Sequence, residues 1–193
     1  MFKKKESGLI LKLLVRLFAG LLFIIGLFLA AQYLPSQQIA VLILALLVAS
    51  LLLDVFNMKN KVAPSFLKHV KEKGVHFSSV SYYLLGITLI LAYLDTRIVF
   101  IAAAMTLLGT IGGQIIRKFS IKSLHVSPML QGMVLAFFLN GASGFAFINS
   151  AAVVIPMAIV ATFIETFSTY NEDNLLVPIV AGIVGQISLI IIS

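Results

Sequence analysis

A chain of 193 residues in which 61% are hydrophobic and only 11% are charged lies well outside the composition of a soluble single-core domain. It holds no cysteine, which rules out a disulfide framework, a thiolate metal site and a thiol nucleophile. The formal charge of +7 suits anionic headgroups and membrane orientation, so no nucleic-acid partner is expected.

The start, MFKKKE, is charged like that of a signal peptide. The apolar run then continues beyond the roughly 7 to 15 residues of a cleavable core and carries Lys12 and Arg16 inside it, which predicts a retained, uncleaved helix. A membrane-spanning helix needs roughly 20 mostly apolar residues. Seven segments approach that length, at 8–34, 37–56, 77–94, 97–116, 127–148, 150–169 and 175–192. Between them lie Pro35-Ser36, a basic stretch from Asn57 to Gly74, Asp95-Thr96, the basic loop after Ile116, Asn149, and the turn Asn171 to Asn174. The chain therefore reads as one integral membrane domain over 1–193, an all-α polytopic bundle of about seven transmembrane helices.

Lysine and arginine alternate as seven spans require. They collect at the N-terminal end, between the second and third segments, and as Arg117, Lys118 and Lys122 between the fourth and fifth. Only Arg97 falls on the other side, so the N-terminus is expected in the cytoplasm and the C-terminus outside. Within 57–74, Val62, Phe66 and Val70 fall at helical spacing among lysines, the pattern of an interfacial amphipathic helix or of a basic loop that sets topology.

Ionisable groups within spans are costly and so are candidates for function. Glu165 lies near the end of the sixth segment, little more than a turn before Glu172 and Asp173, so these three carboxylates are expected to converge as a metal site. A solvated turn with Asn174 capping the last helix and Pro178 in its first turn is the competing reading. Asp54 is balanced between a functional group and the partner of a nearby lysine. The stretch from Gly109 to Gly132 sets glycines beside Arg117, Lys118 and Lys122, as a phosphate-bearing ligand would need. Gly109, Gly112 and Gly113 serve close helix packing equally well, and Gln131 and Asn140 read as interhelical hydrogen-bond partners.

The run SSVSYYLLGITLILAYLD through GTIGGQIIRKF, the pair Gln131-Gly132 and IETFSTYNEDNLLVPIVAG resemble the membrane family of dolichol and polyprenol kinases, phytol kinases and CTP-dependent diacylglycerol kinases. DVFNMKNKVAPSFLKHV resembles the basic stretch of its prokaryotic members. The resemblance implies phosphoryl transfer from CTP or another nucleoside triphosphate, with Mg2+, to a polyprenol, a phytol-like alcohol or diacylglycerol, at the cytoplasmic face of a prokaryotic membrane. With that resemblance and the charges that share one face, Glu165, Asp173 and Lys118 are the candidate catalytic residues, Lys118 standing in with Arg117 and Lys122 for cations the family carries elsewhere. Glu165, Glu172 and Asp173 would hold magnesium, while Gly109, Thr110, Gly112, Gly113, Arg117, Lys122, Gln131, Gly132 and Asn174 would bind the nucleotide. The chain departs from the pattern at Thr110, where the family carries Asp after Gly, and at Ser127 to Gln131, where it carries Lys-Lys-Thr-x-Glu before the glycine. These departures raise a second reading, a catalytically silent member that binds an isoprenoid lipid or serves as a partner subunit. A cytidylyltransferase is a third. A second copy of the chain or another membrane protein is the expected protein partner.

Overall fold

The computed structural model describes residues 18, 22–26, 28–30, 32–60, 78–119, 127–168 and 172–193. Among them every regular element is helical. Helical residues at 22–26, 28–30 and 32–33 precede six helices: α1 (Ser36–Asn60), α2 (Ser79–Leu91), α3 (Thr96–Phe119), α4 (Pro128–Phe145), α5 (Ala151–Phe167) and α6 (Asp173–Ile192). The second to seventh expected segments each carry a helix, most of the first (8–34) lies outside the described residues, and among the described residues the fold is all-α. By length and composition, two stretches among the described residues are sufficient to cross a bilayer, Gln37–Phe56 within α1 and Asp173–Ile192.

Several boundaries differ from those expected, each for a local reason. α3 continues to Phe119, so Arg117 and Lys118 sit on its last turn and not in a loop. Arginine and lysine are good helix formers, and cations complement the negative end of the helix dipole. α1 likewise continues through Asn57 to Asn60, taking the first residues of the basic stretch into the helix. α4 begins where Ser127 Oγ accepts the Leu130 N–H at 3.3 Å and Pro128 occupies the first turn, where its missing N–H costs nothing. α6 starts at Asp173, so Asn174 does not cap it; the preceding residue is Glu172, and Pro178 falls in the second turn instead of the first. Residues 61–77, with the amphipathic pattern at Val62, Phe66 and Val70, lie outside the described residues.

Cross-helix contacts give the directions. Asp54 on α1 meets Ser78 and Ser81 at the start of α2, and Tyr83 on α2 donates to the Ala103 carbonyl of α3 at 3.1 Å. Gly109 on α3 faces Asn140 on α4, while Gly144 on α4 faces Val154 on α5 and Gly185 on α6 faces Met157 on α5. Successive helices therefore alternate in direction. One end of the bundle gathers the ends of α1, α3 and α5 with the starts of α2, α4 and α6. The opposite end holds the α2–α3 turn, where Asp95 accepts the Arg97 backbone N–H at 2.8 Å and its carboxylate pairs with the guanidinium at 3.3 Å. Burial pushes the Asp95 carboxyl up, but the hydrogen bonds and charge of Arg97 outweigh that and hold it below the ordinary carboxylate range.

The core is built from Ile87, Ile98, Ile101, Met105, Val153 and Met157. Alanines 102, 103, 158, 161 and 181 let the helix axes approach, the packing typical of helices without bulky interfaces. Gly86 does the same for α2 and α6: a Cβ there would lie 2.7 Å from Pro178 Cγ and 3.1 Å from the Leu175 carbonyl. The outside is as apolar as the inside. α5 presents Ile155, Ile159, Phe163 and Phe167 outward at four-residue spacing, and α6 presents Ile183, Ile187 and Ile191. Contiguous exposed apolar surface on that scale marks a protein or membrane contact.

Candidate functional site

Three buried polar groups lie toward the same end of the bundle. In the first, Asn140 of α4 is fully buried and its Nδ2 donates to Thr162 Oγ1 and to Glu165 Oε2, both at 3.2 Å. Thr162 and Glu165 are three residues apart on α5, so one helix face delivers both. Gly109 closes the cluster from α3. A Cβ at that position would fall on the Glu165 carboxylate and 2.5 Å from Asn140 Oδ1. Gly109 therefore makes room for Glu165, which is the packing alternative weighed for this glycine, and the polar group it approaches belongs to the protein. Asn140 Oδ1 has no hydrogen-bond partner among the described residues, a state few buried amides tolerate.

The second group centres on Asp54, which is 8% exposed. Its Oδ2 accepts the Ser78 N–H at 2.8 Å and the Ser81 hydroxyl at 2.6 Å, with Ser50 Oγ 3.1 Å from Ser81 Oγ. Ser78 itself caps α2. A carboxylate at a helix start meets unpaired N–H groups and the positive end of the dipole. The described partners of Asp54 thus belong to the start of α2; the side chains of Lys59 and Lys61, the lysines of the alternative pairing, lie outside the described residues.

The third group is the start of α6. Asp173 and Asn174 are each 7% exposed, whereas Glu172 is exposed. Asp173 Oδ1 accepts the Asn174 N–H at 2.8 Å, and Asn174 Nδ2 has no partner among the described residues.

The sequence-expected residues separate accordingly. Glu165 and Gly109 are in contact. Glu165, Glu172 and Asp173 do not form a metal-holding trio: among the described residues no three histidine, aspartate or glutamate side chains converge. The short connection from α5 to α6 brings their backbones to one end, but Glu172 turns outward to solvent. Thr110, Gly112, Gly113, Arg117 and Lys118 continue α3 as helix toward that end, their side chains outside the described residues, as is Lys122. Lys118 lies nine residues beyond Gly109, about 14 Å of helix. Gln131 is half-buried and Gly132 buried in the first turns of α4.

Sequence reasoning treated Asn140 only as a generic hydrogen-bond partner and passed over Thr162, Ser78 and Ser81. The signal was present as polar residues at helical spacing inside apolar segments, at 162 and 165 and at 78 and 81. Compared with known proteins, the chain matches no family model, no curated protein and no solved structure.

Proposed function

We propose that the chain is a seven-span membrane protein acting on a lipid alcohol at its cytoplasmic face, in the manner of the lipid-alcohol kinases its sequence resembles. The observation that carries the reading is the topology. Glu165, the Asp173-Asn174 start of α6 and the Arg117-Lys118 end of α3 belong to one end of an alternating bundle whose outer faces are apolar. Phosphoryl transfer depends mostly on position and on neutralising charge, and cations at a helix end on the same end of the bundle as buried carboxylates would supply both. In this reading Arg117, Lys118 and Lys122 face the phosphates of CTP or another nucleotide, and Glu165 and Asp173 orient the reacting groups. The alternation of basic loops supports placing that end in the cytoplasm. Glu165, Glu172 and Asp173 do not converge as three carboxylates around one magnesium ion.

The test is transfer of labelled phosphate from CTP or ATP, with magnesium, to polyprenol, phytol or diacylglycerol by the purified, detergent-solubilised protein. Labelled lipid phosphate is expected, and a Lys118→Ala variant should lose roughly 100-fold or more, the scale of one transition-state electrostatic contact. Folded protein that forms no product with any pair overturns the kinase reading. It would favour the silent, lipid-binding or partner-subunit reading, which Thr110 and the missing trio support.

A further inference from the structure

Arg97 is the one lysine or arginine that the charge pattern sets apart from the basic loops, and the function proposed above does not use it. It lines a pocket of about 340 Å3 at the end of the bundle opposite Glu165, between the helical residues before α1, the first turn of α1, the start of α3 and the turn after α4. The lining has two levels. Gln32, Thr96 and Arg97 form the outer one, and Phe28, Phe100 and Phe147 the inner one. Phe100 lies four residues beyond Thr96, about 6 Å deeper along α3. The rings are in contact, with centroids 6.0 Å apart for Phe28 and Phe147 and 6.3 Å for Phe100 and Phe147. Phe28 is 43% exposed, so the inner level opens sideways on the outside of the bundle.

The guanidinium is oriented by its neighbour. Asp95 Oδ1 accepts from Nε at 3.3 Å and Oδ2 from Nη2 at 3.4 Å, so the carboxylate takes one edge of the fork. The terminal Nη1–Nη2 edge has no partner among the described residues, and the side chain is 64% exposed. That edge matches two oxygens of one phosphate group. The guanidinium and the carboxylate cancel in charge, so what this site offers is fork geometry above net charge. Tyr33 and Tyr93, both well exposed at the same end, are amphipathic rings of the kind found at headgroup level.

We propose that this pocket seats the phosphodiester head of a membrane phospholipid, its two unesterified oxygens accepting from the Nη1–Nη2 edge of Arg97 and the first carbons of a chain lying on Phe28 and Phe147. The proposal rests on the membrane placement above and is independent of phosphoryl transfer. At roughly 30 Å3 per heavy atom the pocket takes on the order of ten such atoms, a phosphodiester with its glycerol carbons, while the chains remain outside in the bilayer. A free phosphate ion would bind the fork and leave the phenyl rings facing water; a phospholipid covers both levels. Every phospholipid carries the phosphodiester, so ethanolamine- and glycerol-headed lipids should bind alike. A glycolipid lacks the group.

The experiment is photolabelling of the full-length protein in nanodiscs by a phosphatidylethanolamine with a diazirine near the ester end of one chain, the label being mapped by mass spectrometry. Label is expected on the peptides that carry Phe28, Phe100 and Phe147. Unlabelled phosphatidylethanolamine and phosphatidylglycerol should displace it equally, and a galactosyl diacylglycerol with the same chains about tenfold less well. Arg97→Ala, at an exposed position, should cut the label there about tenfold and leave label on the outer face of α5, at Ile159 and Phe163, unchanged. Arg97→Lys should restore only part of it, because the charge returns without the fork. Equal displacement by the galactolipid, label unmoved by Arg97→Ala, full restoration by Arg97→Lys, or displacement by inorganic phosphate overturns the proposal, the last by revealing a free-anion site. Protein that stays in solution without detergent and does not enter nanodiscs sinks the membrane placement itself. Incorporated protein labelled evenly over its outer faces sinks this proposal alone.

Discussion

Of the carboxylates buried toward the same end of this bundle, Asp54 and Glu165 are held in different ways. Asp54 Oδ2 takes a backbone N–H and a hydroxyl from the start of α2, at 2.8 and 2.6 Å. Glu165 is held from Asn140 across a glycine on a third helix, and the amide that holds it keeps an oxygen without a partner among the described residues. The first arrangement completes a helix end, so it joins α1 to α2 and leaves little for a ligand. The second uses three helices to present polar atoms inside an apolar bundle, at a cost that packing alone does not explain. Burial by itself therefore does not separate a structural carboxylate from a functional one. The two differ instead in the amide beside Glu165, whose Asn140 Oδ1 has no hydrogen-bond partner among the described residues.

That comparison can be broken experimentally. The largest stability effect is expected from Asn140→Ala, which removes both donors to α5 and opens a cavity. A loss of roughly 2–4 kcal/mol should appear in denaturant unfolding in micelles. Asp54→Ala should cost about 1–3 kcal/mol by leaving the Ser78 N–H and Ser81 hydroxyl without their acceptor. Gly109→Ala gains nearly 1 kcal/mol in helix propensity, yet its Cβ overlaps Glu165 and Asn140. A net loss on the order of 1–2 kcal/mol is expected, and a stabilised variant would contradict the packing described for this cluster. Because the clusters share no partner, Gly109→Ala and Asp54→Ala should add within about 0.5 kcal/mol in the double variant.

The smallest effect lies at the opposite end of the bundle. The exposed Asp95–Arg97 pair should contribute no more than about 1 kcal/mol to stability. The folded-state value of Asp95 is depressed, so that contribution is present above the unfolded value near 4 and disappears as pH falls through the lower folded value. Arg97→Ala should therefore flatten the acid limb of the unfolding curve, the variant lying up to about 1 kcal/mol below the parent near neutral pH and converging with it in acid.

Helix order was legible because breakers such as Pro35, Asp95-Thr96 and Asn149 interrupt apolar runs. The end of α3 was misplaced because Arg117 and Lys118 look like loop residues by charge while favouring helix by propensity. The start of α6 moved to Asp173, whose carboxylate receives the next N–H, so Asn174 falls inside the first turn and does not cap it. Glu165 and Gly109 were each singled out from local sequence. Their contact was not, because a pairing between α3 and α5 leaves no local trace in one chain. A cleft of about 410 Å3 between α1 and α2 was invisible for the same reason: its walls come from four helices and the helical residues before α1, and leucines that line it look like any other lipid-facing leucine.

The most direct test compares Glu165→Gln with Asp54→Asn in the phosphoryl-transfer assay, with unfolding followed on the same samples. Glu165→Gln should lower transfer roughly 100- to 1,000-fold while the protein stays folded, and Asp54→Asn should lower the unfolding midpoint while transfer persists. Equal loss of transfer in both variants, or loss in Asp54→Asn alone, would contradict the division of the two carboxylates into a functional and a structural one.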